Sequence, residues 1–113
     1  MFNFNAEIET TLASLGVPVE YMFYEGDEPL YITYMQSDKD ATLAGDDSII
    51  GAVVYYDFDI YSKGNYLEAA ARIIELLTAA GWTYQPSRDS PDFYERDTKY
   101  YHKTLCLAKE SEG

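Results

Sequence analysis

The sequence has few of the residues on which most active sites depend. Its 113 residues include one cysteine, Cys106, and one histidine, His102. A single cysteine excludes an internal disulfide and a zinc site made of several thiolates. A single histidine with no serine or cysteine motif nearby does not make a nucleophilic triad. Cys106 stands between Leu105 and Leu107, which favours a small buried residue over a reactive thiolate.

Basic residues are scarce as well. Eight Lys and Arg stand against 20 Asp and Glu, which makes the formal net charge -12. Proteins grip nucleic acid by neutralising phosphates with Lys and Arg, and anionic lipids repel an acidic surface, so we expect neither kind of binding. No apolar run reaches the ~20 residues that span a bilayer, and the first residues lack a secretion signal. We therefore expect a cytosol-like compartment, or a particle assembled there.

Hydrophobic residues and tyrosines are plentiful. The hydrophobic share of 47% is typical of a globular chain, and the length suits one domain with its own core. The 12 tyrosines combine an apolar ring with a polar hydroxyl, so they suit both sheet faces and protein interfaces. We predict a single domain over residues 1–113.

Residues 52–82 predict a long strand followed by a capped helix. Apolar residues alternate with period two in residues 53–61, as in a half-buried strand. They recur every three or four positions after Asn65, as on one face of a helix. Asn65 and Glu68 form a candidate capping box, and Gly81 can supply the left-handed C-cap. The apolar strand face holds Val54, Tyr56, Phe58 and Ile60, and the wetter face holds Val53, Tyr55, Asp57, Asp59 and Tyr61.

The residues before this segment predict a helix, a hairpin and a loop. Asn5 is a candidate cap for a helix over residues 6–15. Residues 19–24 and 30–36 are β-rich and flank a turn cluster, which predicts a hairpin. Residues 37–47 are polar and rich in Asp, which predicts a mobile loop.

The residues after this segment predict strands over 82–85 and 99–108, the first resuming at 92–96, and a frayed tail over 109–113. The resulting order is α-β-β-β-α-β-β with short connections, which favours antiparallel pairing. We therefore predict an α+β fold, with two helices packed on a mainly antiparallel sheet of about five strands.

Carboxylates are the one abundant type of side chain that could bind a metal or catalyse a reaction. Asp57 and Asp59 point to the same strand face, and Asp46 and Asp47 end the predicted loop. Such pairs can hold Mg²⁺ or Ca²⁺, or act as acid and base. However, the chain has no calcium-binding Asp-x-Asp-x-Asp-Gly loop and no phosphate-binding Gly-Lys-Ser/Thr. We expect no enzyme, metal or cofactor, and a metal-dependent enzyme using Asp57 and Asp59 is a minor alternative.

Several segments together resemble a family of phage virion proteins. They are YITY (31–34), GDD (45–47), DFDIYSKGNY (57–66), AAGW (79–82) and YERDTKYYHKTLCL (94–107). The chain resembles the tail-terminator or tail-completion proteins, also called head–tail joining proteins, of long-tailed bacteriophages and prophages. The resemblance implies an α+β subunit that forms a hexameric ring at the head-proximal end of the tail tube.

The resemblance also implies a function and partners. Such a ring ends tail-tube growth, contacts the tail-tube and head-connector proteins, and lets DNA pass without gripping it. The location would be the virion tail, and the host cytoplasm during assembly. The family supplies no catalytic residues. Our candidate contact residues come from position alone: Asp40, Asp46, Asp47, Tyr55, Asp57, Asp59, Tyr61, Lys63, Tyr94, Tyr100 and His102.

The acidity allows a second function of another class. A small acidic phage-encoded binding protein, either an inhibitor or a DNA mimic, could use the same carboxylates to occupy the DNA site of a partner. The genes that neighbour this one would distinguish the two hypotheses.

Overall fold

A computed structural model describes residues 3–43 and 49–111 of the chain. The elements in these residues are α1 (Asn5–Leu12), a 3₁₀ turn (Ala13–Leu15), β1 (Val19–Tyr21), β2 (Leu30–Leu43), β3 (Ile49–Ser62), α2 (Leu67–Ala79), β4 (Thr83–Tyr84), a second 3₁₀ turn (Pro86–Arg88), β5 (Phe93–Glu95) and β6 (Tyr100–Ser111). The predicted α+β fold is confirmed. Neither described helix is long and apolar enough to cross a membrane.

The six described strands form one sheet with β3 near its middle. The order is β1-β2-β3-β6, with β4 and β5 both paired to the far edge of β6. β3 is antiparallel to β2 on one side and to β6 on the other. The sheet has six strands instead of about five because residues 83–84 and 93–95 form two separate short strands on β6.

The core lies between one face of this sheet and the two helices. The apolar face that was predicted for β3 is fully buried there, with exposures of 2% or less. The helices cover it with Ile8 and Leu12 of α1 and with Ile73 and Leu77 of α2. Trp82 closes one end of the core, where its ring meets Phe4 edge-on at 5.6 Å.

The helix ends agree with the sequence at the glycines but not at Asn5. Gly16 and Gly81 have φ of 69° and 97°, the left-handed conformation expected at helix C-termini. The amide oxygen of Asn65 accepts the N–H of Leu67 at 2.8 Å, at the start of α2. Asn5 lies inside α1, and its side-chain oxygen accepts the hydroxyl of Tyr56 at 3.2 Å. Asn5 therefore ties α1 to the sheet and does not cap the helix.

The predicted hairpin between residues 19–24 and 30–36 is wrong. β1 runs parallel to β2, with Val19 opposite Ile32 and Tyr21 opposite Tyr34. Parallel neighbours ordinarily need a connection of a dozen or more residues. β1 has only three residues, so it is about 10 Å long. The eight residues 22–29 are enough to return the chain along so short a strand.

The predicted mobile loop is wrong for residues 37–43, because β2 continues to Leu43. The register shifts between Gln36 and Asp38, which leaves Ser37 as an extra residue, and pairing with β3 then resumes. Polar composition did not decide this segment, because β3 is long enough to pair with it through backbone hydrogen bonds, with a second register shift between Thr42 and Leu43. Residues 44–47 of the predicted loop lie outside the described residues.

The predicted frayed tail is wrong for residues 109–111, which pair with residues 52–54 of β3. Lys109 also anchors this end of the chain. Its ammonium lies 2.7 Å from a carboxylate oxygen of Glu7 and donates to the carbonyl of Ala80 at 2.8 Å, beside the C-terminus of α2. A cation is stabilising there because the helix dipole places negative charge at that end. Residues 112–113 lie outside the described residues.

Shortening a buried side chain of α2 tests this packing. Ile73 is fully buried, so Ile73→Ala should lower the free energy of unfolding by about 2–5 kcal/mol, through lost burial and the cavity left behind. The control is Glu75→Ala on the exposed side of the same helix, which should change it by about 0.5 kcal/mol or less. Urea unfolding followed by circular dichroism measures both, and equal effects would contradict the assigned helix face.

Candidate interface on the open face of the sheet

The strand residues that point away from the helices form a second surface, called here the open face. Alternation along β3 builds it, and the registers add neighbours from β2 and β6: Thr33 and Thr104 flank Asp59, and Tyr31 and His102 flank Tyr61. Its strand members are Tyr31, Thr33, Asp40, Tyr55, Asp57, Asp59, Tyr61, Tyr100, His102, Thr104 and Cys106, and Tyr24, Arg88 and Glu95 contact this face from connections or from the sheet edge.

One end of the open face is a row of aromatic rings in contact. The ring centroids of Tyr24 and Tyr31 are 4.5 Å apart, those of Tyr31 and Tyr61 are 4.7 Å apart, and those of Tyr61 and His102 are 4.2 Å apart. Tyr100 meets Tyr31 edge-on at 5.3 Å. Contacts of this kind stabilise the rings in one arrangement. The row is therefore a pre-formed, mostly apolar surface with hydroxyl groups along it.

Asp59 and His102 are occupied by contacts within the chain. A carboxylate oxygen of Asp59 accepts the hydroxyl of Thr104 at 2.6 Å and lies 3.0 Å from Nε2 of His102. Nδ1 of His102 lies 3.6 Å from a carboxylate oxygen of Glu95. The imidazole is thus held between two carboxylates and stacked on Tyr61. This arrangement fixes the position of the imidazole on the open face.

Asp57 and Cys106 face each other in the middle of the open face. Burial raises the pKa of Asp57 above its ordinary value, and the charge of Asp59 raises it further, while hydrogen bonds from Ser37 and Cys106 oppose the shift. Burial, together with the charge of Asp57, raises the pKa of the Cys106 thiol to about 11, so the thiol stays protonated near neutral pH. In residues 3–43 and 49–111, no three His, Cys, Asp or Glu side chains cluster as metal ligands would.

The other end of the open face is held by Arg88, which the second 3₁₀ turn brings across the sheet. Its guanidinium lies 3.9 Å above the ring of Tyr55 and 3.3 Å from a carboxylate oxygen of Asp38. The N–H of Lys39 and the guanidinium of Arg88 lower the pKa of Asp38. The Tyr55 hydroxyl donates to Asp40 at 3.3 Å. These contacts connect β2, β3 and the segment after β4.

Lys63 and Tyr100 join loops at the aromatic end. The ammonium of Lys63 lies 4.0 Å above the ring of Tyr100 and donates to the carbonyl of Thr98. The hydroxyl of Tyr100 donates to the carbonyl of Glu28 at 2.7 Å. Both side chains therefore bind within the chain, and Tyr100 is only 8% exposed.

The structure brings together most of the predicted contact residues but not all. Tyr94 faces the helix side of the sheet, where its ring lies 4.8 Å from that of Tyr101. Asp46 and Asp47 lie outside the described residues. Lys63 follows β3, beside the open face. The remaining candidates share the open face: Asp40, Tyr55, Asp57, Asp59, Tyr61, Tyr100 and His102.

Sequence reasoning missed several members of the open face. Tyr31 could have been found, because it alternates with Ile32 in the same way as Tyr61 does with Ile60. Arg88, Tyr24 and Glu95 carry no such signal, because each reaches the face from a connection or from the sheet edge. Their positions depend on how the chain returns to the sheet, which no local pattern encodes.

Comparison with known proteins gives a fold relationship only. No family model matches the chain, and no curated protein matches it. A solved chain described as "Virion of native gene transfer agent (GTA) particle" superposes with a TM-score of 0.59 and 16% sequence identity. The match covers 91% of this chain and 84% of that one. The two chains therefore share a fold over nearly their whole lengths.

Removing the charge of Asp57 should stabilise the protein at neutral pH. The folded state raises the pKa of Asp57. The folded protein therefore keeps the Asp57 proton at pH values at which the unfolded chain has lost it. The free energy of unfolding falls as the pH rises through that range. Asp57→Asn removes this dependence and keeps a hydrogen-bond acceptor. Urea midpoints should therefore rise relative to wild type at pH 7 and not at acidic pH.

The control is Asp92→Asn. The hydrogen bond from Tyr66 lowers the pKa of Asp92, so its charge is favoured in the fold and its removal should lower stability at pH 7. Equal shifts of the urea midpoint in the two variants would contradict the assigned environments.

Proposed function

We propose that this protein is a structural component of a phage-like virion, a tail-terminator or tail-completion subunit that forms a ring at the head–tail junction. The observation that carries the proposal is the fold shared with a chain of a gene transfer agent virion over 91% of this chain. The motifs that resemble tail-completion proteins point to the same class and supply the finer assignment. In this proposal the protein is not an enzyme.

The open face supports a role in assembly. Its aromatic row is pre-formed, so a partner that covers it does not have to order it. Tyrosine-rich surfaces with few free charges are typical of the centres of protein interfaces. The His102 and Asp59 side chains are already paired across β3 and β6, which lowers the cost of removing them from water. We propose that this face contacts a neighbouring subunit, the tail-tube protein or the head-connector protein.

The charge of the chain suits a channel for DNA. With a net charge of -12, the wall of a ring would repel phosphates, so DNA could pass without being held. The virion tail is the proposed location, with assembly in the host cytoplasm.

Deletion of the gene tests the proposal. Particles made without the protein should have tails of irregular length that do not join heads, because nothing ends tube growth. Complementation with wild type should restore both features, and antibody labelling should mark the head-proximal end of the tail in electron micrographs. Normal tails without the protein, or its absence from virions, would overturn the proposal.

The acidic-inhibitor hypothesis has one observation in its favour, the net charge. A DNA mimic has to present its carboxylates to a partner, whereas Asp38 pairs with Arg88 and Asp59 with His102 and Thr104. The open face thus offers fewer free charges than the composition suggests. Retention of the protein in purified virions would distinguish a structural component from a free inhibitor.

A further inference from the structure

The connection after β1 exposes two large apolar side chains that the open-face interface does not include. Met22 is 58% exposed and Phe23 is 66% exposed, and the preceding Tyr21 is 48% exposed. We call Met22 and Phe23 the knob. Two adjacent apolar residues exposed to this extent at a sheet edge are a marker of a protein contact.

The backbone at the knob is in an unfavourable conformation. Met22 has a φ of 65°, which residues other than glycine rarely adopt. The N–H of Phe23 donates to the carbonyl of Tyr21 at 2.7 Å, two residues back, so Met22 is the centre of a tight γ-turn. Such turns cost free energy and persist only where the surroundings hold them.

The surroundings do hold this turn. The N–H of Met22 donates to the carbonyl of Tyr34 at 2.9 Å, and the following Tyr24 stacks on the aromatic row. A Cβ on Gly26 would lie 2.1 Å from the hydroxyl oxygen of Tyr24, so a side chain there would displace the Tyr24 ring. The far end of the connection is fixed by Tyr100 through Glu28. The knob therefore projects from the surface in one conformation. Its side chains are exposed, so burial within the chain does not offset the cost of the strained backbone.

A pocket of matching chemistry lies at the other end of β1. It has a volume of about 260 Å³ and lies between the first 3₁₀ turn, the start of β2 and the first turns of α2. Four apolar side chains line it, together with Asn65, Glu68 and Arg72: Leu15, Val17, Leu30 and Ala69. The knob is attached at Tyr21, the last residue of β1, whereas the pocket lies near Val17, just before that strand begins.

Acidic residues flank the knob, and the pocket carries the cation Arg72 as well as the carboxylate of Glu68. Residues 1–38 contain no Lys or Arg, and the exposed carboxylates of Glu20 and Glu25 flank the knob. Arg72, at the pocket, is exposed and forms no ion pair with another described residue. Arg72 is therefore available to a carboxylate of another copy.

We propose that the knob of one copy docks in the pocket of a second copy, with Glu20 or Glu25 of the first copy pairing with Arg72 of the second. The inference rests on the proposed function, because it names the contact between neighbouring subunits of the ring. Knob and pocket are different patches, so each copy can give its knob to one neighbour and accept the knob of another. Such a head-to-tail contact closes into a ring when its rotation allows.

Disulfide trapping tests the contact directly. One variant carries Phe23→Cys and the other Val17→Cys, and the two are mixed under mild oxidation, alone and with purified tail tubes. The single native thiol, Cys106, is buried and does not compete. A cross-linked heterodimer is expected in one or both settings. The control replaces Phe23→Cys by Tyr94→Cys, which is 51% exposed in β5 and should give no cross-link with the pocket variant.

Charge exchange gives a second, independent readout. Phe23→Asp and Arg72→Glu should each raise the concentration for half-maximal assembly at least tenfold, while Phe23→Leu should have little effect. Combining Glu20→Arg and Glu25→Arg in one copy with Arg72→Glu in the other should restore assembly. All these side chains are exposed, and unchanged circular dichroism shows that each variant is folded.

The outcomes separate this contact from the proposed function. If rings form on tail tubes while the cross-link is absent and Phe23→Asp has no effect, the contact is overturned and the proposed function stands. If the cross-link forms but virions lack the protein, the contact stands and the proposed function is overturned. If copies associate in neither setting, the contact is overturned.

Discussion

The fold depends on β3 being hydrogen-bonded along both edges while its side chains alternate between two surroundings. Pairing with β2 and β6 runs from Ser62 to Ala52 on both sides, so a one-residue slip against either neighbour would exchange the buried and open faces. One face then carries the helices and the core. The other carries tyrosines and carboxylates in fixed register with β2 and β6, and that register makes an ordered surface from scattered residues.

Several of the scarce basic residues connect distant segments. Lys109 joins β6 to α1 and to the end of α2, and Arg88 joins the second 3₁₀ turn to β2. Lys103 binds Asp92 and the carbonyl of Ser90, which ties the segment before β5 to β6. In a chain with so many carboxylates, each of these cations neutralises negative charge where segments meet. Arg72 forms no ion pair with another residue in the described part of the chain.

The sequence predicts those features of the fold that the local periodicity of apolar residues and the positions of glycines determine. The alternation through Phe58 and Ile60 identified the buried face of β3, and Gly16 and Gly81 identified the helix ends. It did not predict the parallel β1, because a strand of three residues carries no signal of its direction. The polar residues 37–43 and the end of β6 were assigned to a loop and a tail, since composition does not reveal that β3 is long enough to pair with both. Arg88 reached the open face through the tertiary path of the chain.

A cryo-electron-microscopy reconstruction of the virion at the head–tail junction tests the proposed position of the protein and the role of its open face. We expect a ring of copies of this fold at the head-proximal end of the tail, with Tyr31, Tyr61 and His102 buried against a neighbouring chain. A junction in which no density fits this fold, or a ring in which the open face is exposed to solvent on every copy, would contradict it.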